Sequence, residues 1–163
     1  MNNLFKILMV TLVVGLISTT LIAQKNTDAK LAAQYYADKE FEKAVVYYQK
    51  LFDKTKAPTY YSRLLNCFTE LEEFKNAEKL IKRQIKRHPF QLEFWTDLGN
   101  LYMVSGQTAK SKQAYDKALK LLSPSNQQII ELANGYLRYK ETEYAIQTYK
   151  KGRKLLKGTY PFN

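Results

Sequence analysis

The feature that most restricts how this chain can fold is an internal repeat of about 34 residues. Repeats begin near Lys25, Pro58, Leu92 and Asn126, at intervals of 33, 34 and 34 residues. Equivalent positions carry, in order, a leucine, an aromatic ring, a small residue and a large apolar residue: Leu31, Leu64, Leu98 and Leu132; Tyr35, Phe68, Tyr102 and Tyr136; Ala44, Ala77, Ser111 and Ala145; Tyr48, Ile81, Tyr115 and Tyr149. This pattern predicts an array of four similar units.

Each repeat has the pattern of two helices joined by a tight turn. In the third repeat, apolar residues at helical spacing from Leu98 to Tyr102 are followed by Gly106 and then by an amphipathic stretch from Ala109 to Leu122. Pro89 and Pro124 follow the closing helices of repeats 2 and 3, where proline stops a helix. One such helix pair cannot bury its apolar face alone, so neighbouring pairs are expected to stack into one core.

Small residues at fixed positions in these helices indicate where two backbones approach closely. They lie on both helices of the repeats: Ala32, Gly99 and Ala133 on first helices, and Ala44, Ala77 and Ala145 on second helices.

The N-terminal segment is predicted to be an export signal. Ile7 to Ala23 contains 17 residues without a charge, preceded by Lys6 and the terminal amine. We favour a signal peptide over residues 1–23, cleaved after Ala23; the alternative is an uncleaved membrane anchor, because about 17 residues is the lower limit for a spanning helix. Either reading places the body outside the cytoplasm, in the periplasm or envelope of a Gram-negative bacterium.

The run Trp95, Leu98, Gly99 and Tyr102, followed by Tyr115, Ala118 and Pro124, resembles the tetratricopeptide repeat, and the resemblance covers residues 25–157. It implies an all-α fold, a right-handed α-solenoid of four antiparallel helix pairs. The predicted repeats are 25–57, 58–91, 92–125 and 126–157, and residues 158–163 form a tail or the start of a fifth repeat.

The same resemblance implies a non-catalytic scaffold whose first helices line a concave groove that binds a peptide or protein partner. The predicted groove residues all lie on first helices: Tyr36, Ser62, Asn66, Thr96, Asn100, Met103, Asn134 and Arg138. Further candidates on these helices are Arg63, Thr69, Glu70, Asp97, Gln127, Ile130 and Glu131.

Three of the groove candidates, Asn66, Asn100 and Asn134, occupy equivalent positions in consecutive repeats. A side-chain amide both donates and accepts hydrogen bonds, so a row of amides can hold the backbone of an extended peptide. The alternative is that asparagine at this position bonds neighbouring helices.

Positive charge is concentrated on the second helices, which the resemblance places on the convex side. The formal net charge is +11, and only Lys6 belongs to the signal segment, which leaves +10 for the body. The predicted basic convex face contains Lys79, Lys82, Arg83, Lys86, Arg87, Lys150 and Lys154. Such a face attracts anionic partners, either anionic lipid, polysaccharide or an acidic protein, unless it is simply a solvated lysine-rich surface. Export makes nucleic acid a poor partner.

The sequence offers little for catalysis or metal binding. Cys67 and His88 are the only residues of their types, and no phosphate loop, nucleophile elbow or zinc motif is present. Cys67 is expected to be a buried apolar residue, and His88 a cap or surface residue before Pro89. We therefore expect no enzyme activity, no cofactor and no metal site.

The sequence after the fourth repeat contains no polar capping helix. Because repeat arrays need a terminal element to cover the last apolar face, three explanations stay open. Further repeats follow in a longer protein, a partner covers the face, or the chain self-associates.

Overall fold

In a computed structural model, residues 27–159 are described, with side chains up to residue 157. This part of the chain contains eight α-helices and no strand, so the predicted all-α class is confirmed. The helices are α1 (27–37), α2 (Phe41–Thr55), α3 (Pro58–Glu70), α4 (Phe74–Arg87), α5 (Glu93–Val104), α6 (Thr108–Leu121), α7 (Asn126–Arg138) and α8 (Thr142–Thr159). The repeat boundaries proposed from the sequence stay a prediction.

The turns inside the repeats share one backbone conformation. Lys39, Glu72, Gly106 and Lys140 have φ angles of 60°, 55°, 74° and 62°, and they follow one another at intervals of 33, 34 and 34 residues. In the third repeat the N–H of Gln107 donates to the carbonyl of Tyr102 at 2.7 Å, which closes the end of α5. A turn was predicted in every repeat, but only Gly106 was identified as a turn residue, because the other three positions carry side chains that rarely adopt this conformation.

Local signals explain where several helices begin and end. Pro58 occupies the first turn of α3, where its missing N–H costs no hydrogen bond. The Ser125 side chain accepts a hydrogen bond from the N–H of Gln128 at the start of α7. At the end of α4, His88 is the C-cap residue and is exposed, as predicted, and Pro89 follows it.

The chain divides into two compact units, one up to Leu71 and one from Glu72. In the first unit, α2 packs against α3, and Tyr36 of α1 contacts Tyr48 of α2 edge to face with ring centroids 6.1 Å apart. Phe52 and Tyr61 carry the ring contacts on to α3. The buried residues of α2 and α3 are Ala44, Tyr48, Leu51, Phe52, Tyr61, Leu64, Cys67 and Phe68.

In the second unit, α4 packs against α5, α5 packs against α6 and α7, and α8 packs against α6 and α7. Three tyrosines lie at its centre: Tyr115 and Tyr136 meet edge to face at 5.6 Å, and Tyr136 stacks on Tyr144 at 5.1 Å. The hydroxyl of Tyr136 donates to the carbonyl of Tyr115 at 2.6 Å, so this buried polar group is satisfied.

Close approach of helices in the second unit depends on three glycines. A Cβ at Gly99 would lie 2.1 Å from Cε1 of Tyr115, and one at Gly152 would lie 2.5 Å from Cδ1 of Ile129. The third, Gly135, faces Thr96. The six small residues chosen from the sequence are all buried, and Gly99 among them lies at a close helix contact, as predicted: Ala32, Ala44, Ala77, Gly99, Ala133 and Ala145.

Within residues 27–159, no helix combines the length and apolar character that crossing a bilayer requires. The signal or anchor predicted for residues 1–23 lies outside the described residues.

Candidate functional site

The first candidate surface is formed by α5 and α7, the first helices of predicted repeats 3 and 4, which pack against each other. Met103 of α5 is 41% exposed and Leu137 of α7 is 46% exposed, although both are large and apolar. Asn134 is exposed and Asn100 is half-buried on the same two helices. A spacing of three residues places Asn100 with Met103, and Asn134 with Leu137, on one side of each helix. We call these four residues the α5/α7 face.

A buried carboxylate lies between these two helices. Asp97 of α5 is 2% exposed, and the hydroxyl of Tyr139 donates to its Oδ1 at 2.7 Å. The Arg138 guanidinium lies 3.4 Å from the same oxygen. A carboxylate buried this deeply needs such partners, because an unpaired buried charge is strongly destabilising. Asp97 therefore fixes the end of α7 against α5, and Arg138, a predicted groove residue, is partly engaged in this pairing.

Acidic side chains surround this pairing. Glu93 is half-buried on α5, and burial, together with the neighbouring Glu131 and Asp97, raises its pKa above the usual range. Arg138 opposes this rise in the pKa of Glu93. Glu93, Asp97 and Glu131 therefore lie close enough on α5 and α7 for their charges to interact. Tyr139 and Glu93 were not among the residues predicted from the sequence. The signal for Tyr139 was Asp97, an acid at an otherwise apolar helical position that requires a partner.

Thr96 was predicted to line the groove, and this prediction is wrong. Its side chain is fully buried, and its hydroxyl donates to the carbonyl of Glu93 at 2.7 Å. A Cβ at Gly135 would lie 2.7 Å from Oγ1 of Thr96. Thr96 therefore fills the contact between α5 and α7 and is not available to a partner.

In the first unit, the predicted groove residues Tyr36 and Asn66 are joined. The hydroxyl of Tyr36 donates to Oδ1 of Asn66 at 2.5 Å, linking α1 to α3. The Arg63 guanidinium lies over the Tyr36 ring, 4.4 Å from its centroid, and Ser62 is exposed beside it. For Asn66, this contact supports the alternative reading, in which the amide bonds a neighbouring helix.

The predicted basic face follows α4 and α8. Lys79, Lys82, Lys86 and Arg87 are exposed on α4, whereas Arg83 is half-buried; Lys150 and Lys154 are exposed on α8. Lys82 lies 2.6 Å from Glu78. This hydrogen bond raises the pKa of Lys82 and lowers the pKa of Glu78.

Lysines of α4 and α6 also line an open cavity of about 360 Å³ in the second unit. Lys82, Lys110 and Lys117 surround it, and the rings of Trp95 and Tyr102 line it. Sequence analysis did not select Lys110 and Lys117, because their proximity to Lys82 depends on how α6 packs near α4.

The structure offers little that resembles a catalytic centre. Cys67 is fully buried, as predicted, and burial raises the pKa of its thiol to about 11, so it is protonated at neutral pH. Among residues 27–159, no group of His, Cys, Asp and Glu side chains is placed to hold a metal ion.

The model of a tetratricopeptide repeat-like domain matches residues 19–138, most of the chain. The chain belongs to this family. A search of the curated proteins finds no match.

Several solved structures are similar to this tetratricopeptide repeat-like chain. A crystal structure of MamA is 18% identical; the match covers 85% of this chain and 81% of the MamA chain, with a TM-score of 0.47. MamA from Desulfovibrio magneticus RS-1 is 16% identical; the match covers 82% of this chain and 76% of the MamA chain, with a TM-score of 0.46. TTC0263, a thermophilic TPR protein of Thermus thermophilus, is 16% identical; the match covers 80% of this chain and 91% of the TTC0263 chain, with a TM-score of 0.37. Family membership rests on the model match.

Membership of the tetratricopeptide repeat-like family confirms the resemblance stated from the sequence, and the α-solenoid fold class with it. Proteins of this class are typically non-catalytic scaffolds for protein–protein interaction, built from stacked helix pairs that expose extended surfaces.

Proposed function

We propose that this protein is a non-catalytic scaffold that binds an extended peptide or protein segment on the α5/α7 face. The observation that carries the proposal is the exposure of Met103 and Leu137 on two helices that pack together. Large apolar side chains beside polar groups mark interaction surfaces in soluble proteins. Asn100 and Asn134 supply donors and acceptors for the backbone of the bound segment.

A selected peptide tests this assignment. Peptides from a random library are selected on the wild-type chain, and their affinities are then measured for Asn134→Ala and Leu137→Ser. We expect each substitution to weaken binding by about tenfold while the melting temperature changes little, because both side chains are exposed. Leu121→Ser, which removes an exposed apolar side chain from α6, is the matched control. If all three variants bound the peptide as tightly as the wild type does, the α5/α7 face would be excluded as the binding site.

We also propose that the body acts in the bacterial envelope. The support is the uncharged run from Ile7 to Ala23 in the sequence. N-terminal sequencing of the protein from the cell envelope should show a chain that begins at Gln24, or at Met1 if the segment is kept as an anchor. Recovery of the protein only from the cytoplasm would contradict this location.

A second candidate function is the binding of an anionic surface by the basic face of α4 and α8. It is favoured by Lys82 of this face, which lines an open cavity together with Lys110 and Lys117 of α6 and two aromatic rings. Like charges gathered in this way raise the local concentration of anionic lipid, polysaccharide or acidic protein.

Vesicle binding separates the two candidates. Co-sedimentation with vesicles of anionic phospholipid should decrease with added salt and with Lys79→Glu and Lys86→Glu combined. Leu137→Ser should leave it unchanged. Equal binding to neutral vesicles would exclude the electrostatic mechanism.

A further inference from the structure

The face of α7 and α8 carries an open apolar groove of about 430 Å³. Ile130 of α7 is 48% exposed and Tyr149 of α8 is 46% exposed, and Leu156 completes the apolar lining. This volume lies within the range of about 300 to 1,000 Å³ that binding sites commonly have. Neither Met103 nor Asn134 lines the groove, and the inference does not rest on the function proposed above.

The floor of the groove is held in place by a close helix contact. Ile129 lines the groove and is itself buried, and its side chain lies directly over Gly152 of α8. Because a Cβ at Gly152 would come within 2.5 Å of Ile129, α7 and α8 meet closely here. The groove is therefore a feature of the folded helix pair and needs no rearrangement to accept a ligand.

The charged residues of the groove all have one sign. Arg153 and Lys157 line it together with Asn126, and no carboxylate belongs to the lining within the described residues. A bound segment must therefore offer apolar side chains to the floor and acidic side chains to the two cations.

The walls also indicate the conformation of the bound segment. Both are α-helices, whose backbone groups are hydrogen-bonded within each helix and offer no edge to a strand. A strand would leave its own N–H and C=O groups unpaired against an apolar floor, whereas a helix satisfies them internally. We propose that the α7/α8 groove binds an amphipathic helix of a partner protein, with Asp or Glu beside its apolar stripe.

Two other occupants fit the groove less well. A second copy that pairs groove to groove about a two-fold axis would bring another Arg153 and Lys157 into the same interface. Residues 160–163 of this chain, which lie outside the described residues, contain Tyr160 and Phe162 but neither Asp nor Glu. Neither occupant supplies side-chain carboxylates for the two cations.

Designed peptides test the proposal by fluorescence anisotropy with the full chain. The first probe is a helical peptide of about 15 residues with leucines at helical spacing and glutamates beside them. Two further probes replace every glutamate with glutamine or with lysine. We expect the acidic peptide to bind, the glutamine peptide to bind about tenfold more weakly, and the lysine peptide more weakly still. Added salt should reduce these differences.

Variants then locate the site. Tyr149→Ser and Arg153→Glu should each weaken binding of the acidic peptide by at least about tenfold. Lys154→Glu, an exposed cation of α8 that does not line the groove, is the matched control for charge. Circular dichroism and melting temperature check the fold of each variant, and Lys157→Ala replaces any variant that unfolds.

Several results would overturn the proposal. The proposal would be wrong if the acidic peptide failed to bind, if the lysine peptide bound as tightly as the acidic one, or if Arg153→Glu had no more effect than Lys154→Glu.

Other results would assign the groove to a different occupant. A wild-type dimer that Tyr149→Ser dissociates would assign the groove to a second copy. Tighter peptide binding by a variant with Tyr160→Ser and Phe162→Ser would assign it to the chain's own tail. Loss of binding in Leu137→Ser alone would instead place the peptide on the α5/α7 face.

Discussion

The two units of this chain fill the same helical repeat in different ways. In the first unit, residues 27–71 contain no glycine, and aromatic rings connect α1, α2 and α3. In the second unit, helices cross closely at Gly99, Gly135 and Gly152. The position equivalent to Gly99 is occupied in the first unit by Leu65, which is half-buried. Both units pack aromatic rings, but only the second also brings helices together at glycines.

The units also differ in how their first helices are joined. Tyr36 and Asn66 form a neutral hydrogen bond in the first unit, whereas Asp97 of the second unit is a buried acid held by Arg138 and Tyr139. The repeat therefore determines where the helices lie, whereas the residues at each contact determine whether the helices are joined by a neutral hydrogen bond or by a buried charge. Four predictions test this difference, beginning with the largest expected effect.

Removing a ring from the first unit should have the largest effect. Phe52 is almost fully buried on α2 and contacts Tyr61 of α3 at 6.0 Å. We expect Phe52→Ala to lower the free energy of unfolding by about 3 to 5 kcal/mol, measured by urea denaturation, because it leaves a cavity. Val46→Ala, at an exposed position of the same helix, is the control and should change stability by less than about 0.5 kcal/mol. A loss below about 1 kcal/mol for Phe52→Ala would show that rings do not support this unit.

Adding a methyl group in the second unit should have the next largest effect. Gly99→Ala places a Cβ against the buried Tyr115 ring, and we expect a loss of about 1 to 3 kcal/mol from overpacking. In an uncrowded helix the same change would raise stability by about 0.5 to 1 kcal/mol, so the sign of the measured change is decisive. The double variant with Tyr115→Leu should lose less than the sum of the two single losses.

The shared turn gives smaller effects of opposite sign. Lys39→Gly in the first unit and Lys140→Gly in the second should each raise stability by about 0.5 kcal/mol, since both positions have left-handed φ angles. Gly106→Ala, in the equivalent turn, should lower it by about 1 kcal/mol. Thermal melting measures all three, and lower melting temperatures for both lysine variants would mean that these turns carry no backbone strain.

The smallest expected effect concerns the acids of the second unit. Burial raises the pKa of Glu93, so the folded chain binds this proton more tightly than the unfolded chain does. The stabilising contribution is present below the unfolded pKa and is lost as pH rises through the folded pKa. We expect Glu93→Gln to raise the melting temperature at about pH 7 and to give little gain near pH 4. Glu143→Gln, at an exposed position of α8, should show no such difference.

Much of the fold could be predicted because it depends on residues close together in the sequence. The helical spacing around Leu98, the proline after α4 and the turn at Gly106 each act within a few residues. Burial of Cys67 followed from its apolar neighbours Leu64 and Phe68 on one helix. These predictions needed no knowledge of how one helix crosses the next.

The candidate site was predicted less well, because its contacts join residues far apart in the sequence. Thr96 was assigned to an open groove although it fills the contact with Gly135, and Tyr139 was not selected although it binds Asp97. Helical spacing shows which residues lie on one side of a helix. Whether that side is buried or exposed depends on how the neighbouring helix packs against it.

The sequence by itself determined the repeat, the helix pairs and the positions that require small side chains, because backbone hydrogen bonds and apolar spacing act over short segments. Only the tertiary structure decided which large apolar side chains stay exposed, such as Met103 and Leu137, and where α7 and α8 leave a groove beside Gly152. The physical reason is that helix crossings depend on the shapes of all the side chains at a contact, and these come from residues such as Tyr36 and Asn66, 30 positions apart, or Asp97 and Tyr139, 42 positions apart.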